Sequence, residues 1–153
     1  MSNFRIVKWD EDYRDDFIDL SLEWLVKYNV MEKKDMEMLL HPVKEIIRDG
    51  GMIFFALDGD DVIGTISMIK HSDETYEIAK LGVTEEYQGQ AIGRFLIEHA
   101  IDWAKAKQAS TIILYTIGIL EAAVGLYESY GFKQVELDEH HYDETDMKME
   151  LVL

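Results

Sequence analysis

The stretch with the spacing for chemistry is Tyr87-Gln-Gly-Gln-Ala-Ile-Gly-Arg94, which leads directly into a long segment with an apolar face. Ile92, Leu96, Ala100, Trp103 and Ala104 recur at helical spacing, so a helix starts here and ends near Lys107. Gly89 and Gly93 allow a tight turn or close approach of another group to the backbone. The first turn of such a helix points unpaired N–H groups, and the positive end of its dipole, at whatever lies in front. The chemistry available is anion binding, and a phosphate is its natural occupant.

Of the other phosphate readings, a Walker loop is excluded by its own residues and a dinucleotide-binding domain is weakened but stays as a third possibility. A Walker loop ends in Gly-Lys-Ser or Gly-Lys-Thr, and here the run is Gly93-Arg-Phe95. A dinucleotide fingerprint wants glycine where Ala91 and Arg94 stand, and an acid closing the next strand, which instead ends Tyr115-Thr-Ile-Gly118. No His-Glu-x-x-His is present, Asp58-Gly-Asp-Asp61 is too short for a calcium loop, and His140-His141 alone is thin support for a metal, so none is expected. The chain has no cysteine, which removes disulfides, thiolate ligands and cysteine nucleophiles and fits a reducing cytoplasm.

Charge narrows the partners. With 31 acidic against 15 basic residues the formal charge is −16, which argues against nucleic acid as a partner. An anionic ligand must be held locally, by backbone N–H groups rather than by a basic surface. No apolar run approaches the roughly 20 residues that span a bilayer, and the first residues show no secretory signal, so a soluble, cytoplasmic protein without a membrane partner is expected.

The elements that position the turn follow from periodicity. Residues 4–8 alternate as a strand does, Asp10 offers a helix cap, and Phe17, Leu20, Leu22, Trp24, Leu25 and Tyr28 form an apolar stripe. A second helical stretch covers residues 31–40, and Pro42 opens a short helix through Ile46 and Ile47. Gly50-Gly51 breaks it. Residues 52–57, 62–69 and 75–84 are three strands of an antiparallel meander, turning at Asp58-Gly59 and at His71 to Glu74. Residues 111–117, almost all β-branched or aromatic, form a central strand beside the one ending at Thr84. A helix over 118–130 stops at Gly131, and strands over 132–137 and 147–153 flank a polar loop. The fold class is therefore α+β, with a mixed, mostly antiparallel sheet of about seven strands and helices on its faces in one domain over residues 1–153.

Gln88-Gly-Gln-Ala-Ile-Gly93 resembles the Gln/Arg-x-x-Gly-x-Gly/Ala signature of the GNAT N-acetyltransferase superfamily, which cradles the pyrophosphate of acetyl-CoA. Ala122-Ala-Val-Gly-Leu-Tyr-Glu-Ser-Tyr-Gly-Phe132 looks like that family's Ala-x-x-x-Leu-Tyr-x-x-x-Gly-Phe segment, and Met147 to Leu151 is similar to its closing pattern. Two positions depart: Ala91 stands where the family usually has glycine, and Leu120 where many members carry asparagine. The resemblance implies an acyl-CoA N-acyltransferase fold whose sheet splays between its fourth and fifth strands. It implies acetyl-CoA as co-substrate, held by Leu81, Val83, Gln88, Gly89, Gln90, Ala91, Ile92, Gly93 and Arg94, with backbone groups near Leu81 and Val83 serving the pantetheine amides and the thioester carbonyl.

Transfer to an amine needs a base for the ammonium and an acid for the departing thiolate. The resemblance places Tyr127 as the acid and Glu77 as the base. His71, His140, His141 or water are alternatives for the base, since imidazole titrates near neutrality. Tyr142 could line the acceptor pocket, while His41 and His99 read as structural. The implied activity is N-acetylation by direct attack in a ternary complex, the competing reading being a non-catalytic acyl-CoA sensor or assembly module. The acceptor, a small-molecule or peptide amine, is set by residues 22–40 and 138–146, and antibiotic, polyamine, amino acid and protein N-terminus stay open. A homodimer is the commonest closed assembly to look for.

Overall fold

The computed structural model describes residues 4–27, 33–89, 91–139, 142 and 145–153. Strands β1 (Phe4–Lys8), β2 (Met52–Asp58), β3 (Asp61–Lys70) and β4 (Thr75–Val83) form an antiparallel meander. The Asp58-Gly59 turn that joins β2 to β3 carries its positive φ, 61°, on the glycine. β5 (Thr111–Thr116) then runs parallel to β4, and β7 (Met147–Val152) lies antiparallel between β5 and β6 (Lys133–Val135). The seven-stranded order is β1-β2-β3-β4-β5-β7-β6, the mixed sheet expected.

Alternation divides the side chains into two cores. Phe54, Ile66, Met68, Tyr76 and Ile78 face α3 (Ile92–Ala106), whose Leu96, Ile97, Ala100 and Ala104 are buried against them. Ile53, Phe55 and Leu57 face the other way, onto Phe17 of α1 (Arg14–Lys27), Leu39 of α2 (Lys33–Leu40) and Ile46. Asp10 caps a single 3-10 turn, Glu11–Tyr13, by accepting the Asp12 N–H, and α1 proper starts after it. Pro42 leads into a π-helical turn, Val43–Ile47, closed by the Arg48 N–H on the Val43 carbonyl. Met31, where the second helix was expected to open, lies outside the described residues.

Two element ends differ from expectation. The last helix, α4, is Glu121–Ser129 rather than 118–130, because the Gly118 N–H is bound to Asp146 Oδ1 at 2.8 Å and Leu120 N–H closes a turn on Ile117. The following strand is only Lys133–Val135, the part that pairs with β7.

A bulge in β4 matters more. Thr65 pairs with Gly82 and Ser67 with Ala79, so β4 holds one extra residue there, and Lys80 takes φ 52°. Strict alternation would set Glu77, Ala79 and Leu81 on one face. The extra residue instead moves Leu81 and Val83 to the α3 face, beside Tyr76 and Ile78, while Glu77 keeps the opposite one.

Glycines let helices sit close on either side of this strand. A Cβ at Gly64, opposite Val83, would lie 3.0 Å from Leu96 Cδ1 and 3.3 Å from Ile92 Cγ2, in the first turns of α3. A Cβ at Gly82 would meet the Leu20 carbonyl of α1 at 3.3 Å. Gly64→Val must push the start of α3 off the sheet, and the overpacking is expected to cost about 1–3 kcal/mol. Urea unfolding should show a lower midpoint with an unchanged slope, together with weaker binding of any ligand at the α3 N-terminus.

Candidate active site

The parallel pairing of β4 with β5 covers only Thr75 to Thr111, Tyr76 to Ile112 and Glu77 to Ile113. Beyond Glu77 the strands part, and a cleft of about 850 Å³ opens between residues 78–83 and residues 114–117, walled by α4. The β5-facing backbone edge of β4 lines it, as an extra strand would require.

One end of the cleft is the anion turn. Gly89 has φ 84° and Ala91 φ 64°, and the two left-handed residues swing the chain into α3. The first helical bond joins Phe95 N–H to the Ala91 carbonyl, so the N–H groups of Ile92, Gly93 and Arg94 precede it without intrahelical acceptors. Gln88 turns inward, its Nε2 donating to the Val83 carbonyl at 3.1 Å, which ties the turn to the end of β4. The exposed Arg94 guanidinium lies 5.7 Å from the Tyr130 ring, and Tyr130 donates to Glu98 at 2.9 Å. Gln90 lies outside the described residues.

Midway along the cleft Tyr127 projects from α4. It is buried, its ring edge-on to Phe132 at 5.9 Å, and burial pushes its hydroxyl up to about 12. It therefore keeps its proton at neutral pH and can donate one.

The far end is a polar network centred on the buried Glu77. Glu77 is 3% exposed. Its Oε1 lies 2.7 Å from Nε2 of His71, in the β3–β4 turn, and its Oε2 accepts from the Tyr142 hydroxyl at 2.9 Å. Burial, then the Glu77 charge, hold the Tyr142 hydroxyl far above the usual phenol range. The Lys80 ammonium, displaced into the cleft wall by the bulge, is paired with Asp35 of α2, and both side chains are buried. Lys80 Nζ also lies 5.4 Å from the Tyr142 ring, and Tyr115 of β5 packs edge-on to that ring at 5.9 Å. Tyr115 in turn donates to Asp138, which accepts from Lys148 at 2.7 Å.

The structure thus brings Glu77, Leu81, Val83, Tyr127 and the turn from Gln88 to Arg94 to one cleft, with Gln90 the exception already noted. At the Glu77 end it also places His71 and Tyr142, both singled out in the sequence, and adds Asp35 and Lys80. His71 does not line the cleft but stands behind Glu77, its side chain 40% exposed. His140 and His141 lie outside the described residues. His99, on α3, packs edge-on to Phe54 at 4.8 Å, and burial depresses its proton affinity. Among the described residues no cluster of His, Asp and Glu is arranged to hold a metal ion.

The profile of the Acetyltransferase (GNAT) family matches residues 7–132. The chain belongs to the GNAT family. It is 31% identical over 120 residues to the uncharacterized N-acetyltransferase YvbK of Bacillus subtilis, a match that covers 74% of this chain and 77% of that one. A 34% match over 84 residues to mycothiol acetyltransferase of Corynebacterium efficiens covers 55% of this chain and only 28% of that longer protein. The [ribosomal protein bS18]-alanine N-acetyltransferase of Escherichia coli is 33% identical over 73 residues, about half of each chain. The fold superimposes on a GNAT-family acetyltransferase of Staphylococcus aureus Mu50 with TM-score 0.86 at 21% identity, covering 96% of this chain and 97% of that one. The PaiA N-acetyltransferase of Thermoplasma acidophilum, solved in complex with coenzyme A, gives 0.78 at 21% identity and 99% coverage of both.

In this GNAT protein the buried Asp35–Lys80 pair pins α2 to the bulge of β4. Removing one partner leaves a buried charge uncompensated. Asp35→Ala is expected to destabilise by about 3–5 kcal/mol, whereas the apolar pair Asp35→Leu with Lys80→Met should recover most of that loss in the same denaturation measurement. Equal instability of the single and double variants would show that packing, not charge, holds α2 there.

Proposed function

We propose that residues 1–153 form one acetyltransferase domain that moves the acetyl group of acetyl-CoA to a primary amine by direct attack in a ternary complex. The observation that carries this reading is the cleft itself, with an anion turn at one end, an unpaired strand edge along its wall, and a proton donor and a buried carboxylate spaced along it. The N–H groups of Ile92, Gly93 and Arg94 receive the pyrophosphate without any net positive charge on the protein. The pantetheine arm runs along β4 and pairs with its backbone near Leu81 and Val83, where an N–H polarises the thioester carbonyl.

Proton handling is divided between the two walls. Glu77 takes the proton from the acceptor ammonium, and Tyr127, protonated at neutral pH, gives one to the departing thiolate. The site sits in a cytoplasmic, cysteine-free protein and needs no metal. The acceptor end, lined by carboxylates and by the Tyr115 and Tyr142 rings, suits a cationic amine.

Acetyl-CoA at about 100 times its dissociation constant should stabilise the folded protein by about 2.7 kcal/mol, a shift of several degrees in the melting temperature, while NAD should leave it unmoved. No response to any CoA ester would remove the reading, and binding without thiol release across a panel of primary amines would leave a sensor instead of an enzyme. With an accepted amine, Glu77→Gln should lower the rate by about 100-fold or more, most at low pH where the amine is protonated, and Tyr127→Phe should slow thiol release. An unchanged pH profile in the first variant, or wild-type thiol release in the second, removes that residue's role.

A further inference from the structure

We propose that Tyr142 is a further catalytic residue, the relay through which the acceptor's ammonium passes its proton to Glu77. The proposal rests on the reading of Glu77 as base and adds the route by which the proton reaches it. Both carboxylate oxygens of Glu77 are engaged, Oε1 with His71 Nε2 at 2.7 Å and Oε2 with the Tyr142 hydroxyl at 2.9 Å. A nitrogen that bonded Glu77 directly would have to share an oxygen with one of these contacts, on a side chain only 4% exposed. A nitrogen that bonded the Tyr142 oxygen would need neither. A phenol donates one hydrogen and keeps lone pairs to accept another, and among the described residues no donor reaches the Tyr142 oxygen.

The surroundings fit a cation at that oxygen. Tyr142 lines the cleft, and two alkylammonium groups already lie against its ring, Lys34 Nζ at 5.1 Å and Lys80 Nζ at 5.4 Å from the centroid. Among the described residues, the charged and titratable groups around it are Lys34 and Asp35 from α2, Glu77 and Lys80 from β4, Tyr115 from β5, and His71 behind Glu77. Burial and the Glu77 charge oppose a phenolate here. The two protons must therefore move together, with Tyr142 neutral before and after.

The step balances. An N–H bond of the ammonium breaks as its proton bonds to the Tyr142 oxygen, and the Tyr142 hydroxyl proton bonds to Glu77 Oε2. The freed nitrogen lone pair attacks the thioester carbonyl carbon, the C–S bond breaks with its electron pair on sulfur, and sulfur takes a proton from Tyr127. A second N–H proton, acidic once nitrogen is bonded to the acyl carbon, replaces on Tyr127 the one that sulfur gained. The proton on Glu77 is the net proton released to solvent.

The test compares ethylamine, protonated at neutral pH, with 2,2,2-trifluoroethylamine, which is largely unprotonated there and has no proton to relay before attack. Tyr142→Phe should lower kcat/KM for ethylamine by about 100-fold and leave trifluoroethylamine within about threefold of wild type, general acid–base contributions being typically of the larger size. Unchanged acetyl-CoA stabilisation reports that the variant is folded. If it is not, 3-fluorotyrosine introduced at position 142 keeps the ring and the hydrogen bond, and should alter the pH dependence with ethylamine but not with trifluoroethylamine. Equal losses on the two amines would reduce Tyr142 to packing, and wild-type rates on both would remove it from the reaction. Glu77→Gln separates the two claims: full ethylamine activity in that variant overturns Glu77 as base, whereas a slow Glu77→Gln beside a wild-type Tyr142→Phe overturns the relay alone. Acetylation of neither amine by the wild-type protein also overturns the proposal.

Discussion

The structure depends on how briefly β4 and β5 hold each other. A parallel pair can continue only while both edges stay in register, and here it ends at Glu77 and Ile113. The bulge at Lys80 adds local twist to β4 just past that point and turns the strand away from its neighbour. The backbone groups left on the two edges are then available to a ligand with amides of its own. Gly64 and Gly82 let α3 and α1 approach the diverging strand from its two faces, so the opening is held by close packing rather than by a loop.

The same parting sorts the electrostatics. On a chain of −16 formal charge a diphosphate is repelled at long range, and a second groove near the anion turn is itself lined by Asp12, Asp16, Asp60, Asp61 and Glu86. Only fixed dipoles at close range can reverse that sign, and the first turn of α3 supplies them, with Arg94 beside it. At the other end charge is buried instead of screened. Asp35 with Lys80, and Glu77 between His71 and Tyr142, place ionisable groups out of water, where each needs its partner in position. The two ends of the cleft are thus opposite in character, one presenting backbone N–H donors and the other a carboxylate held between two partners.

Much of this was legible in the residue order, for local reasons. The Asp58-Gly59 turn, the helical spacing from Ile92 to Ala104 and the β-branched run from Thr111 each carry their structure in neighbouring residues, and each appears where expected. The anion turn was readable because two glycines and a helix start lie within a few positions. What escaped depends on register and on distant contacts. No local pattern marks the extra residue at Lys80, because a bulge is a property of the pairing with Thr65 and Ser67 and not of β4 alone. Tyr142 meets Glu77 across 65 residues and Asp35 meets Lys80 across 45, separations at which periodicity carries no information. His71 and Glu77 were nearer to hand. Lys70 pairs with Tyr76 in the hairpin, so a side chain in the turn just past that pair can fold back onto position 77.

Ala91 shows how a departure from a family signature is weighed once its backbone is known. At negative φ an extra methyl group would matter only through its volume. Here φ is 64°, so an L-residue adopts the left-handed region at a cost of about 1–2 kcal/mol relative to its usual conformation. Ala91 is nevertheless solvent-exposed, and its carbonyl accepts the first bond of α3, so the strain serves to start the helix at this residue. Moving the start by one residue would redirect the N–H groups of Ile92, Gly93 and Arg94 by about 100°, the angular step of an α-helix. The methyl group is thus carried by an exposed residue of the cleft lining, and the conformation is kept because the direction of those donors depends on it.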